Sequence, residues 1–156
     1  MEILLSDEQT ECKIDSGKLE DDVGNILQAL GCDDGEISIL LVNDEKIREL
    51  NKQYRNQDRA TDVLSFPQHE AGQANPLNPH LLGDVVVSTA TARRQSVEHG
   101  LSMEEELVLL LIHGILHLLG YDHERSGEDA RRMKEKTRDL FRRVFPGKEL
   151  AESCEF

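Results

Sequence analysis

Thirteen consecutive residues, 107–119, carry no charged side chain: Leu-Val-Leu-Leu-Leu-Ile-His-Gly-Ile-Leu-His-Leu-Leu. A bilayer span needs about 20 apolar residues, so this run is too short to cross a membrane. A helix that is apolar all round is stable only when enclosed by other elements. Ser102 offers an N-cap, and Glu104, Glu105 and Glu106 suit the positive end of the helix dipole. Gly120 supplies a stop after Leu119. The rest of the chain is therefore expected to pack around this helix.

The remaining elements follow from periodicity and breakers. Residues 2–5 form a short edge strand. Residues 19–30 space their apolar side chains as a helix does and end at Gly31. Residues 36–42 are β-rich and become continuously apolar, as in an inner strand. Asn43 or Asp44 caps a helix over 45–54, and residues 61–66 form a third strand stopped by Pro67. Residues 69–82, with Gly72, Pro76 and Pro79, read as a flexible surface loop. A fourth strand covers 83–88, a helix runs from Ser88 or Thr89 to Gly100, and a last helix covers 125–144. The expected fold is a single α+β domain over residues 1–156: about four strands in a mixed sheet, with about five helices around the apolar one.

Charge limits the partners. The chain has 31 acidic and 18 basic residues, a formal net charge of −13, and only 4% aromatic residues. Whole-surface attraction to nucleic acid and a binding face of many stacked rings are both disfavoured. Residues 1–50 hold 14 acidic and 4 basic side chains, whereas residues 51–100 hold 5 of each. An anionic substrate should approach the middle of the chain or the last helix, although the basic residues of that helix read first as a solvated face. Cys12, Cys32 and Cys154 are odd in number and widely spaced, and the N-terminus lacks a basic, then apolar, leader. These features predict a cytoplasmic protein without a disulfide framework or membrane association.

The chemistry concentrates in His113-Gly-Ile-Leu-His117-Leu-Leu-Gly120-Tyr-Asp-His123. Positions 113 and 117 lie one turn apart on one helix face, and two imidazoles at that separation can hold one divalent ion. A left-handed Gly120 would turn the chain so that His123 becomes a third ligand. Three neutral imidazoles leave a tetrahedral position open, as in catalytic zinc sites. Zn²⁺ is the expected ion, although this donor set also suits nickel, cobalt or copper. The spacing overlaps that of the metzincin proteases, but Gly114 stands where those enzymes need a general-base Glu. Gly114 either leaves space beside an ion or permits tight helix packing. Asp122 and Glu124 are candidates for orienting an imidazole. His69, His80 and His99 suggest no role.

This segment resembles the signature of the YbeY family of bacterial endoribonucleases and rRNA maturation factors. Two further blocks agree: Asn51-x-x-Tyr-Arg55-x-x-Asp58-x-x-Thr61-Asp62-Val-Leu-Ser65-Phe66-Pro67, and Leu82-Gly83-Asp84-Val-Val-Val-Ser88. The resemblance implies a single α+β domain, a zinc-like ion on His113, His117 and His123, and single-strand-directed RNA cleavage. It also implies 16S rRNA 3′-end processing, ribosome quality control and the small ribosomal subunit as partner, with no DNA substrate. Arg55 carries over as the basic catalytic residue of the cleft.

The residues themselves suit that chemistry. A guanidinium pairs bidentately with phosphate and stays charged, so Arg55 could neutralise the non-bridging oxygens. Read alone, Arg55 is equally a surface arginine, and Arg59, Arg93 and Arg94 read as solvated. No general acid stands out, and both hydroxide and the 2′-oxygen remain open as nucleophile. The competing readings are a non-catalytic ribosome-assembly factor with a structural metal, and a metal-dependent hydrolase of a smaller substrate. The endoribonuclease reading further requires the acidic first 50 residues to lie away from the histidines.

Overall fold

The computed structural model describes residues 1–68, 80–121 and 126–151. Four strands, β1 (Glu2–Asp7), β2 (Glu36–Val42), β3 (Val63–Pro67) and β4 (Leu81–Ser88), form one sheet in the order β1-β2-β4-β3. β1, β2 and β4 are parallel, and β3 runs antiparallel on the far edge. Five helices accompany them: α1 (Ser16–Ala29), α2 (Asp44–Arg55), α3 (Thr89–His99), α4 (Met103–Leu118) and α5 (Gly127–Val144). The expected α+β class, with an edge first strand and an inner second strand, is the one observed.

The apolar run became α4. Residues 106–118 of this helix are all buried except His113 and His117, which are partly exposed. Its side chains join Ile37, Ile39, Leu41, Val85 and Val87 from one face of the sheet, together with α1 and α5, in the main core. Alternate residues of the same strands point the other way. There Val42 and Val86 meet Leu64 and Ile47, so α2 closes part of the opposite face.

The three glutamates that open α4 have three different roles. Glu104 pairs with Lys18, and Glu105 completes a capping box with Ser102. Glu106 is fully buried, so it does not face solvent at the helix dipole as its neighbours do.

Several boundaries differ from expectation. β1 extends two residues further, to Asp7, where Ser6 and Asp7 continue the pairing with Leu40 and Leu41. α1 begins at Ser16 because Asp15 accepts a hydrogen bond from Lys18 N, a cap upstream of the first apolar repeat. Pro67 belongs to β3, as the last residue of an edge strand where its missing N–H costs no ladder bond. β4 begins at Leu81, with Gly83 inside it at φ +138° beside a register shift. A Cβ at that position would lie 2.3 Å from the Phe66 carbonyl oxygen. α5 begins at Gly127, capped by Ser126. The predicted loop over 69–82 falls mainly outside the described residues. Among the described residues no helix is long and apolar enough to cross a membrane.

Candidate active site

His113 and His117 open onto a cleft of about 730 Å³ between α4, β3, α3 and the end of α2. The two rings are nearly parallel, 17° apart, with centroids 6.1 Å from one another. A zinc–imidazole bond is about 2.0 Å and the ring radius a little over 1 Å, so two rings on one tetrahedral ion stand about 5 Å apart. The observed separation is about 1 Å wider, a gap that small rotations of the two side chains span. The donor set therefore fits a divalent transition ion held between two imidazoles one helical turn apart.

The helix ends in the left-handed turn expected at Gly120. Gly120 adopts φ +95°, its N–H donates to His117 O, and Tyr121 N–H donates to Leu116 O. This is the Schellman pattern, which reverses the chain at a helix end. His123, Asp122 and Glu124 lie outside the described residues. Among the described residues no group of three His, Cys, Asp or Glu side chains is arranged to hold an ion.

Gly114 is resolved in favour of packing. A Cβ there would sit 2.6 Å from Val85 Cγ1, so only a glycine lets α4 lie this close to β4. Close approach also allows Ser65 Oγ to donate to Gly114 O at 3.0 Å. The Ser65 carbonyl accepts from Arg55 Nη2 at 3.1 Å. Arg55, at the C-terminal end of α2, is thereby tied through Ser65 to the middle of the histidine-bearing helix. It lines the same cleft as His113 and His117.

The turn between α2 and β3 carries Arg59 to the cleft rim. Asn51, almost completely buried, donates to Arg59 O at 2.9 Å, and Asn56 turns the chain at φ +57°. Arg94 points elsewhere, pairing with Asp44 at 2.8 Å, and Arg93 does not line the cleft. No cleft-lining residue comes from positions 1–50, so the acidic third of the sequence lies away from the histidines.

One residue was missed. His99, at the end of α3, lines the cleft, and its Nδ1 lies 2.9 Å from both carboxylate oxygens of the buried Glu106. Burial pushes the Glu106 carboxyl up from its ordinary range, and the hydrogen bond from His99 pulls it partly back. An isolated histidine with no ligand spacing gives no sequence signal. The adjoining run of three glutamates hid its partner.

The sequence model of the family described as endoribonuclease YbeY matches residues 4–144. The chain belongs to that family. The YbeY endoribonuclease of Geobacter metallireducens is 44% identical over 142 residues, 90% of this chain and 94% of that one. The YbeY endoribonuclease of Aquifex aeolicus is 47% identical over 123 residues, 79% of each chain. A Thermotoga maritima protein solved in solution superposes with a TM-score of 0.63 at 31% identity, covering 94% of this chain and 99% of its own. The YbeY resemblance of the three sequence blocks is thus matched along nearly the whole chain. Two of those blocks supply His113, His117, Arg55 and Ser65 to one cleft.

Proposed function

We propose that this chain is a metal-dependent, single-strand-specific endoribonuclease acting in the cytoplasm on rRNA. Its work would include 16S 3′-end processing and ribosome quality control at the small subunit. The observation that carries the reading is the meeting of His113, His117 and Arg55 in one cleft away from the acidic third of the sequence. The resident ion would be Zn²⁺, with nickel an acceptable substitute, held by His113, His117 and His123. When bound, such an ion polarises a phosphoryl oxygen and makes hydroxide available near neutral pH.

The chain's own residues supply the rest. His113 and His117 present their nitrogens from a helix that cannot shift, because every neighbouring position on it from 106 to 118 is packed. Arg55, with one nitrogen anchored on Ser65 O, keeps its other N–H groups for the non-bridging oxygens of a phosphodiester. A charge held in place before the substrate arrives needs little reorganisation as negative charge develops.

Metal analysis and an RNA-cleavage assay on the same preparations test this. His117→Ala is expected to lose both ion and cleavage. Arg55→Ala should keep the ion and lose on the order of a hundredfold in cleavage rate. A metal-loaded wild-type protein that leaves single-stranded RNA intact, yet associates with ribosomal particles, would replace this reading with that of a non-catalytic assembly factor.

A further inference from the structure

The cleft extends well beyond the two metal-binding candidates. Glu106 and His113 are seven residues apart on α4, about 10 Å along the axis at 1.5 Å per residue. The far end is occupied by a pair that the chemistry at His113 and His117 does not use. Glu106 is completely inaccessible, and His99 keeps 15% of its side chain exposed.

The protonation of this pair decides what it offers to the cleft. Nδ1 of His99 is committed to Glu106, leaving Nε2 as the remaining ring nitrogen. With one proton between carboxylate and Nδ1 and none on Nε2, the pair is an anion. Adding a proton makes it neutral overall, whether as carboxylate with imidazolium or as carboxylic acid with neutral imidazole. In both neutral forms Nε2 carries a hydrogen. A buried anion is costly, so enclosure of Glu106 favours the neutral pair and hence a donor at Nε2. Asp62, before β3, and Glu98, on α3, push in the same direction. The other charged or titratable groups lining the cleft are Arg55, Arg59, His113 and His117.

We propose that His99 is an RNA-binding residue outside the reacting linkage, donating Nε2–H to a phosphate oxygen of a neighbouring nucleotide in the strand that lies along the cleft. The inference rests on the reading of this cleft as an RNA site and adds a second point of attachment to it. Glu106 is the positioning residue. It fixes the ring and, by its burial, the hydrogen on the other ring nitrogen.

The test is fluorescence anisotropy with labelled single-stranded RNA long enough to fill the cleft, with an unlabelled dinucleotide as competitor. His99→Ala should weaken the longer strand about 5- to 20-fold and leave the dinucleotide unchanged. Cleavage at saturating RNA should keep its kcat, the loss appearing in KM. Glu106→Gln, whose amide can either donate to Nδ1 or accept from it, no longer fixes the hydrogen on Nε2 and should weaken the longer strand while leaving the dinucleotide unchanged. His99→Gln, still a donor, should recover part of the affinity even if Glu106→Gln does not fold. Equal affinity of wild type and His99→Ala for the longer strand overturns the inference, as does an equal loss for both lengths. Length-dependent binding without cleavage by the wild type would overturn the endoribonuclease reading and leave the inference standing. A wild type that binds no RNA removes both.

Discussion

Asp44 shows how much one side chain can hold. Its Oδ1 accepts from Ser88 and Thr91 hydroxyls at 2.6 Å each, and its Oδ2 from Arg94 at 2.8 Å, tying α2 to α3. Burial alone would raise its carboxyl, but these three donors outweigh burial and hold it below its ordinary value of 3.8. A carboxyl lowered in the folded state stabilises above its unfolded pKa, and that contribution is lost as pH falls through the folded value. Asp44→Asn should therefore lower Tm at pH 7, with the gap to wild type narrowing from about pH 5 towards pH 3. The sequence offered Asp44 only as a possible cap. His113, His117 and Arg55 were legible because their spacing or blocks are distinctive. The His99–Glu106 pair was not, since it joins two elements across a turn and depends on burial that no local pattern announces.

At the scale of the element, α4 is the most legible part of the molecule and also the least forgiving. Its capping box, its unbroken apolar run and its Gly120 stop are all local signals, and all of them hold in the structure. Gly114 is different, because the contact that demands it comes from β4. Gly114→Ala should destabilise by about 1–3 kcal/mol through overpacking against Val85, read as a lower urea midpoint with an unchanged m-value. Shortening the opposing side chain, as in Gly114→Ala with Val85→Ala, should recover part of the loss. Two of the boundaries that sequence reading misplaced, the end of β3 and the start of β4, share one cause. Gly83 and Pro67 are strong breakers in isolation, but here they sit face to face in the β3–β4 ladder. Sheet pairing overrode their local preference.

The whole molecule is an acidic body with a cleft that contains two arginines and no lysine. Asp62, Glu98 and Glu106 also line the cleft, so Arg55 and Arg59 are local cations in a lining that is not basic overall. Affinity for a single strand falls with salt with a slope of about −0.7 per phosphate neutralised, so two arginines predict a slope near −1.4 in a log–log plot. Arg55→Ala should reduce that slope by about 0.7, which a salt titration of RNA affinity would read directly. A much steeper slope would place additional basic groups on the strand. A slope that shallow would let the cleft keep its hold on RNA across a wide range of ionic conditions.

The two rings on α4 occupy the only positions between 106 and 118 that the surroundings leave partly open. On the proposed reading, the residues that would meet the ion and the residues that bury the helix are therefore different members of one rod. Exchanging either imidazole for a thiol or a carboxylate would alter which ion the cleft prefers while leaving the buried positions of the rod unchanged.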